Sequence, residues 1–148
     1  MGSEMCIRDR DIIIRFKNLG DGLFNYGIIS NATIGDHPWF VAFGNIDGDQ
    51  YIDMVVHYRL DGGLKFFKNN GSGFTSPVTI GYPPANLRSV DIMDGDGDGD
   101  MDVITSSSNT TQNIMYFHND GAGNFQIGNA TTVHQVPVGE FSDMNVAD

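Results

Sequence analysis

The chain repeats itself, and a repeat of this length restricts the possible folds more than any single motif does. The stretch RFKNLGDGLF (15–24) is echoed by FFKNNGSGF (66–74) and by YFHNDGAGNF (116–125), so that Asn18, Asn69 and Asn119 lie 51 and 50 residues apart. A second element recurs out of phase with the first: FGNIDGDQYIDMVV (43–56) matches IMDGDGDGDMDVIT (92–105), with Asp53 and Asp102 separated by 49 residues. The closing SDMNVAD (142–148) matches RSVDIMD (88–94). A period near 50 residues implies one supersecondary unit that cannot bury its faces alone and must stack on its neighbours.

Within one period the composition predicts four short strands. WFVAFG (39–44), YIDMVVHYR (51–59), LKFFKN (64–69) and FTSPVTI (74–80) are separated by an acidic loop, by Asp61-Gly62-Gly63 and by Asn70-Gly71-Ser72-Gly73. Pro77 lacks a backbone donor and suits an edge strand. NLRSVDI, DMDVITS, NIMYFHN and FQIGNATTV fill the same roles in the next period. No window keeps an apolar period near 3.6, so helix is expected to be scarce. The expected fold is all-β: a partial β-propeller of four-stranded antiparallel blades of about 50 residues, each with an acidic loop between its first and second strands. A β-solenoid is the rival, but its repeats are shorter and run in tandem. We divide the chain into the end of a preceding blade (11–38, two strands plus linker), a complete blade (39–82, loop 45–53), a second complete blade (83–136, loop 94–102) and the first strand of a following blade (137–148). Propellers have four to eight blades, so the chain is expected to be a fragment of a longer protein. The opening MGSEMCIRDR fits none of these patterns and has no apolar core of a signal peptide. Residues 1–10 read as an artefactual scar and are set aside.

The net charge of −11 and pI of about 4.4 exclude nucleic acid and anionic membranes as natural partners. Much of the excess sits in two short loops. Five aspartates lie within nine residues at Asp94, Asp96, Asp98, Asp100 and Asp102. Two carboxylates about 4 Å apart repel by roughly 1 kcal/mol in water and about 4 kcal/mol at a protein surface, so a compact loop needs a counter-ion. Calcium takes six to eight oxygen ligands from carboxylates, carbonyls and water. Asp94, Asp96 and Asp98 stand at loop positions 1, 3 and 5, the Asp100 carbonyl at 7 and Asp102 at 9; the first loop offers Asn45, Asp47, Asp49, the Tyr51 carbonyl and Asp53. Glycine at position 4 (Gly48, Gly97) supplies the bend. An EF-hand begins similarly but ends in a bidentate Glu at position 12, where this chain has Val56 and Thr105 within β-branched runs. Magnesium, which demands a strict octahedron, suits the loops less well. We expect the ion to be structural, tying two strand ends together.

Other chemistry finds little support. The single Cys6 allows neither an intrachain disulfide nor a cysteine zinc site. His37, His57, His118 and His134 show no metal spacing and read as surface or packing residues. No G-x-S-x-G elbow is present. Phe16, Phe67 and Phe117 recur at one strand position, with Phe66 and Tyr116 beside two of them, and are expected to pack between blades. No segment reaches the roughly 18 apolar residues of a membrane span, so a soluble chain is expected.

FVAFGNIDGDQYID and VDIMDGDGDGDMD resemble the FG-GAP or VCBS-type repeats of integrin-alpha-like β-propellers, whose D-x-D-G-D-G-x-x-D loop binds calcium. KNNGSGF and HNDGAGNF are similar to the family's N-x-G-x-G-x-F turn between third and fourth strands. The first loop departs from the pattern at Asn45 and Gln50, which lowers ligand charge and loop freedom and implies weaker binding there. The resemblance implies a secreted or cell-surface protein acting in adhesion or in binding a protein or glycan ligand; the lack of a catalytic constellation in the sequence adds the expectation that the chain is not itself an enzyme. Two alternatives stay open: a propeller within an extracellular polysaccharide lyase or hydrolase, and a structural spacer in a large surface protein.

Overall fold

The computed structural model describes residues 4–9, 12–20, 23–30, 37–60, 63–83, 86–108, 112–126 and 131–136. They form strands β1 (Glu4–Asp9), β2 (Ile12–Gly20), β3 (Leu23–Ser30), β4 (Pro38–Gly44), β5 (Asp53–Tyr58), β6 (Leu64–Phe67), β7 (Val78–Gly81), β8 (Leu87–Met93), β9 (Asp102–Ser108), β10 (Gln112–Phe117) and β11 (Thr131–Val136). No helix occurs among the described residues. Two sheets are four-stranded antiparallel meanders, β4-β5-β6-β7 and β8-β9-β10-β11, and a third has three strands, β1-β2-β3. The repeat read from the sequence is thus a blade-like sheet unit.

Equivalent details recur in the two four-stranded sheets. Each opens on a non-glycine residue in the left-handed region, His37 (φ 57°) or Asn86 (φ 65°). The carbonyls of these residues accept hydrogen bonds from Arg59 N at 2.9 Å and Ser108 N at 3.0 Å. Each first strand then bulges, between Pro38 and Phe40 and between Leu87 and Ser89. The fourth strand of the β4–β7 sheet begins later than composition predicts, at Val78, and in the β8–β11 sheet the described part of the fourth strand is Thr131–Val136. Phe74 and Phe125 instead form isolated bridges to Asn69 and Asn119, which close the glycine turns before regular pairing starts. Pro77, directly before β7, is the physical reason in the β4–β7 sheet, since it cannot donate to a ladder.

The segment set aside as a scar contributes β1, which pairs in continuous register with β2 from Glu4↔Lys17 to Asp9↔Ile12. The first sheet therefore has three strands rather than the two expected. The strand assigned to 137–148 lies outside the described residues.

Side chains alternate between two cores. Val55, Leu64, Phe66 and Ile80 of the second sheet face Val103 and Phe117 of the third, with Ile46 of the first acidic loop closing the end. Met54, Val56, Tyr58 and Phe67 point the other way and pack with Ile13 of the first sheet. Central strand β5 is consequently buried along its whole length. Phe66, Phe67 and Phe117 lie between sheets as the sequence predicts, while Phe16 is half-buried beside Tyr26. Phe117 lies against Gly81, so tightly that a Cβ there would overlap the ring.

Candidate metal centre

Both acidic loops connect the first and second strands of a four-stranded sheet, and their backbones are organised by the aspartates themselves. In the first loop Asp49 N donates to Asp47 Oδ1 at 3.2 Å and Tyr51 N to Asp49 Oδ1 at 2.6 Å. In the second, Asp98 N donates to Asp96 Oδ1 at 3.2 Å and Asp100 N to Asp98 Oδ1 at 2.9 Å. One oxygen at each of positions 3 and 5 thus shapes the loop, leaving Oδ2 for other contacts. Gly48 and Gly97 have φ of 73° and 81°, the conformation for which glycine was expected at position 4.

Position 9 is a buried anchor. Asp53 and Asp102 are both fully buried. Asp53 accepts from Ile46 N at 3.0 Å and Asn69 N at 2.7 Å; Asp102 accepts from Gly95 N at 3.0 Å and Asn119 N at 2.8 Å. The Tyr116 hydroxyl also donates to Asp102. Each carboxylate therefore joins the start of its acidic loop to the glycine turn after the third strand. Burial raises the Asp53 pKa, opposed by the backbone donors it accepts from. Burial and the Asp102 bond push the Tyr116 hydroxyl well above its ordinary value. Sequence reading assigned Asp53 and Asp102 to a metal alone and missed this structural bonding.

The turn asparagines complete the link. Asn69 Nδ2 donates to Ile52 O at 3.0 Å, and Asn119 Nδ2 to Met101 O at 2.9 Å. Asn119, fully buried, also donates to Ile46 O at 2.6 Å, fastening the first acidic loop to the neighbouring sheet. A cleft of about 330 Å³ lies between the two loops, lined among others by Asn45, Ile46, Ile92 and Asp100.

The loops differ in how their carboxylates converge. In the second, ligand oxygens of Asp94, Asp96 and Asp102 lie within 4.8 Å of one another, as do those of Asp96 and Asp98 with a nitrogen of His118. His118 Nδ1 stands 3.3 Å from Asp96 Oδ2 and 3.5 Å from Asp102 Oδ1. This histidine, read as a surface residue, is exposed but belongs to the acidic cluster. Asp94 accepts from Gly97 N at 2.7 Å and Gly99 N at 3.1 Å. Asp100 points its carboxylate toward Gly121, and its pKa is raised by partial desolvation and by the neighbouring aspartates, Asp98 foremost. The donor set is all oxygen apart from one imidazole, and its crowding fits a hard divalent ion.

In the first loop no such carboxylate group forms among the described residues. Lys68 instead places its ammonium on Asp47, and 3.6 Å from Asp49 Oδ2. Its pKa is raised by the hydrogen bond to Asp47. Asn45 donates through Nδ2 to the Asp49 carbonyl, while its Oδ1 is buried without a hydrogen-bond partner. Lys68 and His118 each precede the turn asparagine, so they occupy equivalent places. Nothing in the acidic motif itself points to either.

Residues 45–105 match the profile of the FG-GAP-like repeat family, from position 1 of the first acidic loop into the strand after the second. No curated protein and no solved structure matches the chain.

Proposed function

Taking residues 45–105 as an FG-GAP-like repeat, we propose that the chain is a calcium-binding stretch of β-propeller blades from a secreted or cell-surface protein, acting in adhesion or ligand interaction rather than catalysis. The observation that carries the calcium reading is the convergence of Asp94, Asp96 and Asp102 within 4.8 Å. Asp94, Asp96, Asp98 and the Asp100 carbonyl would hold the ion, with Asp102 closing the site from below. Bound there, calcium supplies the positive charge that five neighbouring carboxylates lack. Asp47, Asp49, Asp53, Asn45 and the Tyr51 carbonyl form the corresponding, weaker set in the first loop.

The sheets that these loops tie together would stack around an axis with further blades of the same type, as propellers require. The acidic loops and the cleft between them then form one rim of the propeller, where a protein or glycan ligand is the partner we favour. The strongly negative charge favours neither nucleic acid nor membrane insertion.

Calorimetric titration of the full chain with calcium, paired with thermal melts in calcium and in chelator, tests this reading. Saturable heat and a higher melting temperature in calcium are expected, because a ligand that binds only the native state stabilises it. Absence of both would end the calcium reading.

A further inference from the structure

We propose that Lys68 is the resident cation of the first acidic loop, so that this loop is neutralised by the protein itself and a divalent ion can enter only by displacing the lysine. The inference rests on the calcium reading for the second loop and goes beyond it in giving the two loops different chemistry. In the first loop the oxygens at positions 3 and 5 that are not committed to the backbone both face one point, and that point is the Lys68 ammonium. The Asp47 side chain is only 2 % exposed. Its Oδ2 finds no other partner among protein hydrogen-bond donors. A buried carboxylate in that state needs a compensating charge close by.

Backbone pairing fixes the position of Lys68. It directly follows β6, and the next residue, Asn69, donates its N–H to Asp53 Oδ1 at 2.7 Å. The carboxylate at position 9 therefore aims Lys68 over its own loop. In the β8–β11 sheet Asn119 and Asp102 make the equivalent bond at 2.8 Å. There the preceding residue is His118, whose imidazole lies 3.3 Å from an Asp96 side chain that is 44 % exposed. Charge points the same way. Three aspartates and one lysine leave the first loop at −2, whereas the second loop carries five aspartates and no lysine at the equivalent place. Asn45 lowers the charge of the first loop, standing as a neutral amide where the second loop has Asp94.

The test compares the full wild-type chain, Lys68→Met, Lys68→Arg and Asp96→Asn/Asp98→Asn by calcium calorimetry and by melting in chelator. The wild type should bind one calcium, and the double aspartate variant should lose it. Lys68→Met should bind a second. In chelator Lys68→Met should melt below the wild type, Lys68→Arg should restore most of the loss, and calcium should rescue Lys68→Met. Two wild-type sites of comparable affinity would overturn the inference. So would Lys68→Met remaining at one site, or melting in chelator like the wild type. If no variant binds calcium, the calcium reading falls by itself. Resident neutralisation is then decided by the chelator melts: a Lys68→Met deficit repaired by arginine sustains it, and no deficit discards it.

Discussion

Asp53 and Asp102 show how one residue type serves two purposes within a nine-residue loop. Both are fully buried and spend their oxygens on the backbone N–H groups of two separate turns. Removing either carboxylate would leave buried donors unsatisfied, at about 1–3 kcal/mol each. Asp102→Ala should therefore lower stability by roughly 3 kcal/mol in urea denaturation, in chelator as well as in calcium. Asp98→Asn, at an exposed position, keeps an oxygen for the Asp100 N–H and removes one of the repelling charges, so it should cause no loss of stability in chelator while weakening calcium binding. Equal losses from both variants in chelator would contradict the division into an anchoring position and ion-facing positions. The spacing of the acidic residues was legible in the sequence because loop ligands alternate along one segment. The anchoring bonds were not, since they join Asp102 to Asn119 across two strands, and only the pairing of β9 with β10 brings them together. Lys68 and His118 were hidden for the same reason.

At the level of elements, the strand order within each period was legible from β-branched and aromatic runs broken by glycine turns. The start of the fourth strands was not, because Phe74 and Phe125 read as strand residues but bridge back to the turn asparagines. What holds neighbouring sheets together is a knob-and-recess contact. Phe117 of β10 is buried against Gly81 at the end of β7, with Phe66, Leu64 and Ile80 around it. Truncating a buried phenylalanine costs about 3–5 kcal/mol, and filling its recess costs about 1–3 kcal/mol through overpacking. Phe117→Ala should thus destabilise more than Gly81→Ala in chemical denaturation. Because the two changes act on one contact, the double variant should lose less than the sum of the single losses. Strict additivity would show that the ring and the glycine do not share a site.

For the whole molecule, the instructive comparison is between β5 and β3. Lying between two neighbouring sheets, β5 is buried from Asp53 to Tyr58. By contrast, β3 exposes Leu23, Phe24, Tyr26 and Ile28 by 50–71 %. Among the described residues it pairs only with β2, so its outer backbone edge has no strand partner. An apolar edge strand of this kind is a template for another strand, and the net charge of −11 opposes association only at long range, where salt screens it. Sedimentation velocity on the full chain should show concentration-dependent self-association across the micromolar to millimolar range, strengthened by added salt. Tyr26→Lys combined with Ile28→Lys should shift it toward monomer, since inward-pointing or edge lysines block strand addition. A wild-type chain that stays monomeric in high salt would mean that these side chains are satisfied without a partner sheet.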